Sequence, residues 1–171
     1  MLERDSADCG SSKCEVPVKP GGWVEFQDWD DYLVSSDGSL EGTGLQRYYD
    51  EVYGAFEKAG IEVRPGPKLE QWFREAGFVN IHVEHFVTPY GVWPKGCHLA
   101  SSPIKKVGTW NQVQAEASGF EAGAMAAVTR YKNWTKEEVI LLASQARADG
   151  QNRDIHSMFS FYVVYGQRPE N

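Results

Sequence analysis

Long apolar runs, basic residues and cysteines are all scarce in this sequence, and each scarcity excludes a class of protein. No apolar run approaches the roughly 18 residues that a membrane-spanning helix needs, which argues against a membrane protein. Residues 1–14 are polar and carry no apolar signal-peptide core. We therefore expect an intracellular protein, cytoplasmic or nuclear.

Basic residues are outnumbered, with 17 Lys and Arg against 24 Asp and Glu and a net charge of −7. Because phosphate binding needs clustered basic side chains, nucleic acid is not an expected partner. The three cysteines are an odd number without CxxC spacing, so neither a disulfide framework nor a metal site is predicted. His82 and His85 are three apart in a predicted strand and would point to opposite faces, which excludes a metal pair.

Aromatic residues, in contrast, are abundant at 13% of the chain, and hydrophobic residues make up 42%. Such a composition is typical of a globular protein with a buried core. Aromatic side chains also line small-molecule pockets, so a pocket of this kind is expected. A chain of 171 residues falls in the one-domain range.

Periodicity divides the chain into elements of an α/β fold. Residues 1–18 show no periodicity and are predicted to be a flexible lead-in. A Gly-Gly turn precedes a predicted strand at 23–28, followed by loops near 30–31 and 35–39. Further predicted elements are an amphipathic helix at 45–59, a shorter helix from Pro67, and a strand at 78–88.

The remaining half of the chain is predicted to be mostly helical. An aromatic, Gly- and Pro-rich loop at 90–102 leads into helix from Pro103 to about Tyr131. Three glycines at 108, 119 and 123 predict a break or a close packing contact in that helix. Thr135 and Glu138 form a predicted capping box for a helix at 136–148. The last segment, 156–165, is almost entirely apolar and is predicted to be a strand buried on both faces.

An ordered set of motifs then carries a family resemblance. These are Lys-Pro-Gly-Gly-Trp-Val-Glu-Phe-Gln-Asp at 19–28, Asp-Gly-Ser-Leu at 37–40, Ala-Gly-Phe at 76–78, Trp-Pro-Lys at 93–95, Ile-His at 155–156, Tyr-Val-Val-Tyr-Gly at 162–166 and Pro-Glu at 169–170. Over residues 19–170 the chain resembles the fungal LaeA-like family of class I S-adenosylmethionine-dependent methyltransferases.

The resemblance implies a partial Rossmann-like methyltransferase sheet, made of the last three strands, with a helical insertion over the acceptor side. It also implies that the final strand is antiparallel and lies beside the family's fifth strand. The cofactor that it implies is S-adenosyl-L-methionine. Residues 19–171 would then be the C-terminal part of a methyltransferase-like domain.

The family binds its cofactor with a Gly-rich loop after the first strand and an acidic residue at the end of the second. Neither feature is present, and Gly42-Thr43-Gly44 follows a loop instead of a buried strand. We therefore predict that the cofactor-binding half is absent and that the chain alone binds S-adenosylmethionine poorly.

Candidate substrate-binding residues lie at the end of the first predicted strand, because ligands of such sheets bind beyond the carboxyl ends of strands. This position selects Gln27, Asp28, Trp29 and Asp30. Glu25 is a further candidate, because it is a carboxylate on a strand that is expected to be buried. The alternative for Glu25 is a structural role, a hydrogen bond to a neighbouring helix terminus. Trp93 joins them from the aromatic loop.

Two histidines are candidate general bases. The alternative for His98 is a solvent-exposed loop residue. The alternative for His156 is a structural role, orienting the start of the last strand through hydrogen bonds.

Two functions follow from these features. The first is methyl transfer to a small molecule of secondary metabolism, with this chain as an acceptor-binding half that is impaired alone. The second is a non-methylating derivative, either a small-molecule binder or cyclase or a regulatory interaction module. Three strands with exposed edges also predict self-association, domain swapping or pairing with a cofactor-binding chain.

Overall fold

The computed structural model describes residues 18–93 and 103–170, and within them an α/β fold. Three strands and five helices follow one another along these segments, with two helices after the first strand and three after the second. In chain order they are β1 Trp23–Ser35, α1 Gly44–Lys58, α2 Pro65–Glu75, β2 Val79–Pro89, α3 Pro103–Ser118, α4 Phe120–Lys132, α5 Lys136–Gln151 and β3 Ser157–Gln167. The candidate base His98 and all three cysteines lie outside the described residues.

The last strand lies in the middle of the sheet, which has the order β1-β3-β2. β3 is antiparallel to both neighbours, so β1 and β2 run in the same direction on either side of it. The expectation that the final strand is antiparallel and beside the first predicted strand is confirmed.

β1 is seven residues longer than predicted, because it runs to Ser35 where residues 30–31 were expected to form a loop. Pairing with β3 resumes at Val34 and Ser35 after an irregularity that begins at Asp30. Asp30 is tolerated inside the strand because Arg64 neutralises its buried carboxylate. Tertiary pairing thus overrides the low strand propensity of consecutive aspartates.

The main core lies among α1, α4 and α5, which pack against one another and against one end of the sheet. The predicted stripe of α1 is buried at Leu45, Tyr48, Tyr49 and Val52. The predicted stripe of α5 is likewise buried, at Val139, Leu142, Ala143 and Ala146. The capping box of α5 is confirmed, with Glu138 N–H donating to Thr135 Oγ1 over 3.2 Å.

A second, smaller cluster joins α2 to the opposite face of the sheet. Leu69 and Phe73 of α2 pack there with Val164 of β3. Trp72, expected in the same stripe, is instead 41% exposed. α2 begins at Pro65, two residues before the predicted start, and Gly66 lies so close to the sheet that an added methyl would be 2.6 Å from Tyr162 Cδ2.

Both expected effects of glycine occur in the long helical segment. Gly119 has a φ of +72° and separates α3 from α4, so the chain forms two helices. Gly108 stays helical and packs against the backbone, where a methyl group would lie 2.2 Å from Gly91 O.

β3 is less buried than predicted. Only Ser157, Val164 and Gly166 are fully buried in it, and its other side chains are half-buried. The reason is that the described helices cover only parts of each sheet face. His82 and His85 of β2 are both exposed, and they stack on Tyr165 and Tyr162 respectively.

Candidate functional site

An aromatic cleft of about 270 Å³ opens where β1 and β3 meet α1 and α3. Its described lining contains five aromatic side chains, two amides and one carboxylate. These residues are Trp29, Asp31, Tyr49, Tyr53, Trp110, Asn111, Gln114 and Phe159. The composition is that of a site for a small organic molecule, and the volume lies just below the usual range of about 300–1,000 Å³.

Ring contacts fix the walls of the cleft. Trp29 packs on the β3 rings of Phe161 and Phe159, with centroid separations of 4.6 and 6.0 Å. Tyr49 stacks on Tyr53 at 5.6 Å and meets Phe159 edge to face at 5.5 Å. Because each ring is held by another, the aromatic surface is organised before any ligand arrives.

Asp31 supplies the charge of the cleft, and it is the only residue of the described lining that ionises near neutral pH. It follows Trp29 by two positions in β1, so the alternation of the strand places both side chains on one face. Burial, together with the neighbouring charges of Asp28 and Asp30, raises the pKa of Asp31 to about 6. The carboxylate is therefore more basic than an ordinary aspartate.

The two tyrosines of the cleft are hydrogen-bond donors at neutral pH. Burial raises the pKa of Tyr49 and of Tyr53, and the charge of Asp31 contributes to both shifts. The phenols stay protonated, so they offer O–H groups beside the single carboxylate.

Asp30, by contrast, does not line the cleft and forms an ion pair with Arg64. Arg64 donates to it through Nε to Oδ1 over 2.9 Å and through Nη2 to Oδ2 over 2.6 Å. This two-pronged ion pair is the strong geometry for guanidinium and carboxylate. Of the two adjacent aspartates, only Asp31 faces the cleft.

A second cavity of about 370 Å³ adjoins the first and shares Tyr49, Tyr53 and Gln114 with it. Its other described lining residues come from α1, α3 and α4. They are Tyr48, Val52, Phe56, Ala115, Phe120 and Gly123.

Among the residues selected from the sequence, Trp29 lies in the cleft, although inside β1 and not in the expected loop. Glu25 and Gln27 are exposed and bond to each other over 2.6 Å, so Glu25 is not the buried carboxylate that was expected. Asp28 accepts a hydrogen bond from Trp29 N–H over 2.9 Å and does not line the cleft. Roles for Glu25, Gln27 and Asp28 in substrate binding remain predictions.

Trp93 and His156 lie together at the start of β3, outside the described lining of the cleft. Their rings are 4.8 Å apart, and Trp93 Nε1 donates to Ser157 O over 3.0 Å. His156 Nδ1 is 2.5 Å from Asp37 Oδ2. This bond gives His156 the orienting contact that was the alternative to catalysis, and its role as a base stays a prediction.

Sequence reasoning missed Asp31, and it assigned Tyr49 to the core, since its helical stripe predicts burial. Phe159, Tyr53 and Asn111 were also not selected. The alternation from Trp29 would have identified Asp31 if the strand had been extended past Asp30. No local signal could have placed α1 and α3 on either side of that face.

Comparison with known proteins identifies relatives of the chain. A methyltransferase of Aspergillus terreus, pytC, is 34% identical over 92% of this chain and 47% of its own length. A probable methyltransferase of Emericella nidulans, tdiE, is 31% identical over 89% of the chain and 46% of its own length. The secondary metabolism regulator laeA of Monascus pilosus is 26% identical over 89% of the chain and 40% of its own length.

This chain is a homologue of the fungal LaeA-like methyltransferases. It spans a little under half the length of these curated relatives. No protein-family model matches the chain.

Methyltransferases of this family imply S-adenosylmethionine, and the glycine-flanked start of α1 is where a cofactor loop could be sought. Its polar groups are already engaged: Leu45 N–H donates to Asp149 Oδ2, and Gln46 N–H to Thr43 Oγ1, both over 3.1 Å. A methyl group on Gly44 would lie 2.7 Å from Gln145 Cβ, so this glycine packs against α5 and not around a ligand. The described residues at this helix start therefore do not fit the cofactor.

Neither a metal-binding cluster nor a membrane-spanning helix occurs in the described part of the chain. No group of three or more His, Cys, Asp or Glu side chains is placed to hold a metal ion there. No helix of residues 18–93 and 103–170 has the length and apolar character to cross a membrane.

Proposed function

We propose that this chain is the acceptor-binding part of an S-adenosylmethionine-dependent methyltransferase that acts on a small molecule of fungal secondary metabolism. The observation that carries the proposal is the aromatic cleft with Asp31 as its charged group. The relatives support the reaction class, since two of them are named methyltransferases and a third is named a regulator of secondary metabolism.

The cleft suits an aromatic acceptor with a hydroxyl group. The ring of such an acceptor packs against Trp29 and the Tyr49–Tyr53 pair, while its O–H donates to Asp31. A carboxylate with a raised pKa accepts the hydroxyl proton more readily than an ordinary aspartate. The role of this chain is therefore to hold the acceptor and to accept its proton.

A test follows from the two tryptophans that line the cleft. Titration of the ¹⁵N-labelled chain with 2-naphthol should shift the indole signals of Trp29 and Trp110 and leave that of Trp72 unchanged. Asp31→Asn should weaken binding by about tenfold or more, because a hydrogen bond to a charged group contributes about 1.5–3 kcal/mol. Asp154→Asn, the same change at an exposed position outside the described lining of both cavities, is the matched control and should bind like the native chain. Equal affinity of the Asp31→Asn and native chains would overturn the proposal.

The missing cofactor site is part of the proposal. Because the start of α1 is engaged internally, we expect the chain alone to bind S-adenosylmethionine more weakly than about 100 μM, which corresponds to about −5.5 kcal/mol. Isothermal titration calorimetry measures this affinity, with the relative pytC as the positive control. Tighter binding by this chain would show that a cofactor site lies in it after all.

The sheet supports a partial Rossmann-like architecture with further strands outside this chain. β1 pairs with β3 along one edge only, and its other edge faces no described strand. Trp23 and Phe26 on this strand are 52% and 51% exposed. Open edges of this length promote pairing with another chain.

We therefore propose that the chain self-associates or pairs with a cofactor-bearing partner through β1. Size-exclusion chromatography with light scattering should show species larger than a monomer at high concentration. A stable monomer at the same concentration would contradict association through this edge.

The second candidate function is small-molecule binding without methyl transfer, favoured by the engaged start of α1. Calorimetry with S-adenosylmethionine at saturating 2-naphthol tests this second candidate. Cofactor binding that appears only with the ligand present would favour methyl transfer and contradict a binder without transfer.

A further inference from the structure

The adjoining cavity differs from the Asp31 cleft in its chemistry. No residue of its described lining ionises near neutral pH, and most of the wall is aliphatic or aromatic. Tyr48, one of its polar members, donates its O–H to Phe120 O over 2.8 Å and so presents mainly its ring. A surface of this kind favours an apolar ligand group, because burying a charge there would leave it unpaired.

The two cavities adjoin, because Tyr49, Tyr53 and Gln114 line both. A ligand that passes these shared side chains would place a polar group at Asp31 and an apolar group in the second cavity. Gly123 helps to keep the second cavity open, because a methyl group there would lie 3.2 Å from the hydroxyl oxygen of Tyr48.

We propose that the second cavity binds an aliphatic substituent of the acceptor, which makes the substrate class hydroxylated aromatic compounds carrying an alkyl-type chain. The inference rests on the proposed function, in which the Asp31 cleft holds the hydroxyl end. The inference specifies the alkyl part of the substrate, which the Asp31 cleft does not recognise.

A homologous series of probes tests the inference directly. The native chain is titrated with phenol, 4-ethylphenol and 4-butylphenol, and binding is followed by the indole signals of Trp29 and Trp110. If the alkyl chain enters the second cavity, each added methylene should tighten binding by up to about fourfold, the ratio expected for a buried CH₂.

Ala115→Leu fills the second cavity from α3 without touching Asp31. In this variant the gain from the alkyl chain should be lost, while phenol binds as it does to the native chain. The matched control is Ala126→Leu, the same change at an exposed position of α4 that lines neither cavity. The control should keep the full gain.

The outcomes separate this inference from the proposed function. If phenol binds in an Asp31-dependent manner but the alkyl chain adds nothing, only the second cavity's role is overturned. If the gain persists in Ala115→Leu, the alkyl chain lies elsewhere and the inference is again overturned. If no member of the series binds in the cleft, the proposed acceptor site fails and this inference fails with it.

Discussion

His156 Nδ1 lies 2.5 Å from Asp37 Oδ2, so the residue before β3 is bonded to the loop that follows β1. Asp37 also accepts from Ser35 Oγ over 2.6 Å and from Ser39 N–H over 3.0 Å. Ser39 Oγ in turn accepts from His156 N–H over 2.8 Å. These hydrogen bonds, that of Ser35 first, hold the pKa of Asp37 well below its usual value.

Asp37→Asn should lower the melting temperature at pH 7, because the amide cannot replace a carboxylate that accepts three hydrogen bonds. A carboxyl group whose pKa is lowered by folding stabilises the protein above its ordinary pKa of about 4 and loses that effect in stronger acid. The difference in melting temperature between the native and variant chains should therefore stay constant from pH 7 to 5 and shrink below pH 4.

Glu41→Gln, at an exposed position near the same loop, serves as the control and should melt like the native chain at each pH. An Asp37→Asn variant with unchanged melting at pH 7 would show that the bonds to Asp37 do not stabilise the start of β3.

Asp31 should show the opposite dependence on pH. Burial, with the charges of Asp28 and Asp30, raises its pKa to about 6, so the folded chain holds the proton more tightly than the unfolded chain. Its contribution to stability is then fully present below pH 4 and is lost as the pH rises through 6.

Asp31→Asn should accordingly raise the melting temperature at pH 7.5 and leave it nearly unchanged at pH 4. Circular dichroism melts at both values measure this, with the exposed Asp154→Asn as the control. A variant that is less stable than the native chain at pH 7.5 would show that the carboxylate is favourably solvated in the cleft.

The Arg64–Asp30 ion pair holds the turn before α2 against β1. Asp30 is 7% exposed, so removal of Arg64 leaves a buried carboxylate without its strongest partner. Arg64→Ala should reduce the free energy of unfolding by about 1–3 kcal/mol, and Arg64→Lys should restore part of it.

The control for this prediction is Arg74→Ala, which removes an exposed i,i+4 pair with Glu70 on the surface of α2. Urea unfolding should place its cost within about 0.5 kcal/mol, as is typical of surface pairs. Equal costs at the two arginines would mean that the burial of Asp30 is energetically unimportant.

The parts of this fold that could be predicted are those set by interactions between residues close in sequence. The stripes of α1 and α5 and the capping box at Thr135 are local patterns, and the structure contains all of them. The length of β1 could not be predicted in this way, because the seven residues after Asp28 depend on pairing with β3 more than 120 positions away in sequence.

The cleft was still less predictable than the strands. Trp29 was selected for its position near a strand end. Asp31 could be selected only if the strand were known to continue through the two aspartates at 30 and 31. Tyr49 fits the apolar pattern of a helix and Phe159 that of a strand. Both patterns predict a core position as readily as a position in a cleft. Only the packing of α1 and α3 around one end of the sheet leaves these rings facing a cavity.

The two glycines within α3 and α1 provide the last prediction, since they differ in what surrounds them. Alanine is preferred over glycine in a helix interior by about 1 kcal/mol. A methyl group on Gly108 would lie 2.2 Å from Gly91 O, which is rigid backbone, whereas one on Gly54 would lie 2.9 Å from Nζ of Lys132, the far end of a long side chain that pairs with Glu51 over 2.7 Å.

Gly54→Ala should therefore be neutral or stabilising by up to about 1 kcal/mol. Gly108→Ala should cost about 1–3 kcal/mol, the usual range for overpacking, because the helix must move away from Gly91. Gly91 N–H donates to Gly108 O over 2.9 Å, so the same movement should also shift the indole signal of the nearby Trp93. A stabilised Gly108→Ala variant with an unchanged Trp93 signal would contradict this close contact between α3 and the segment after β2.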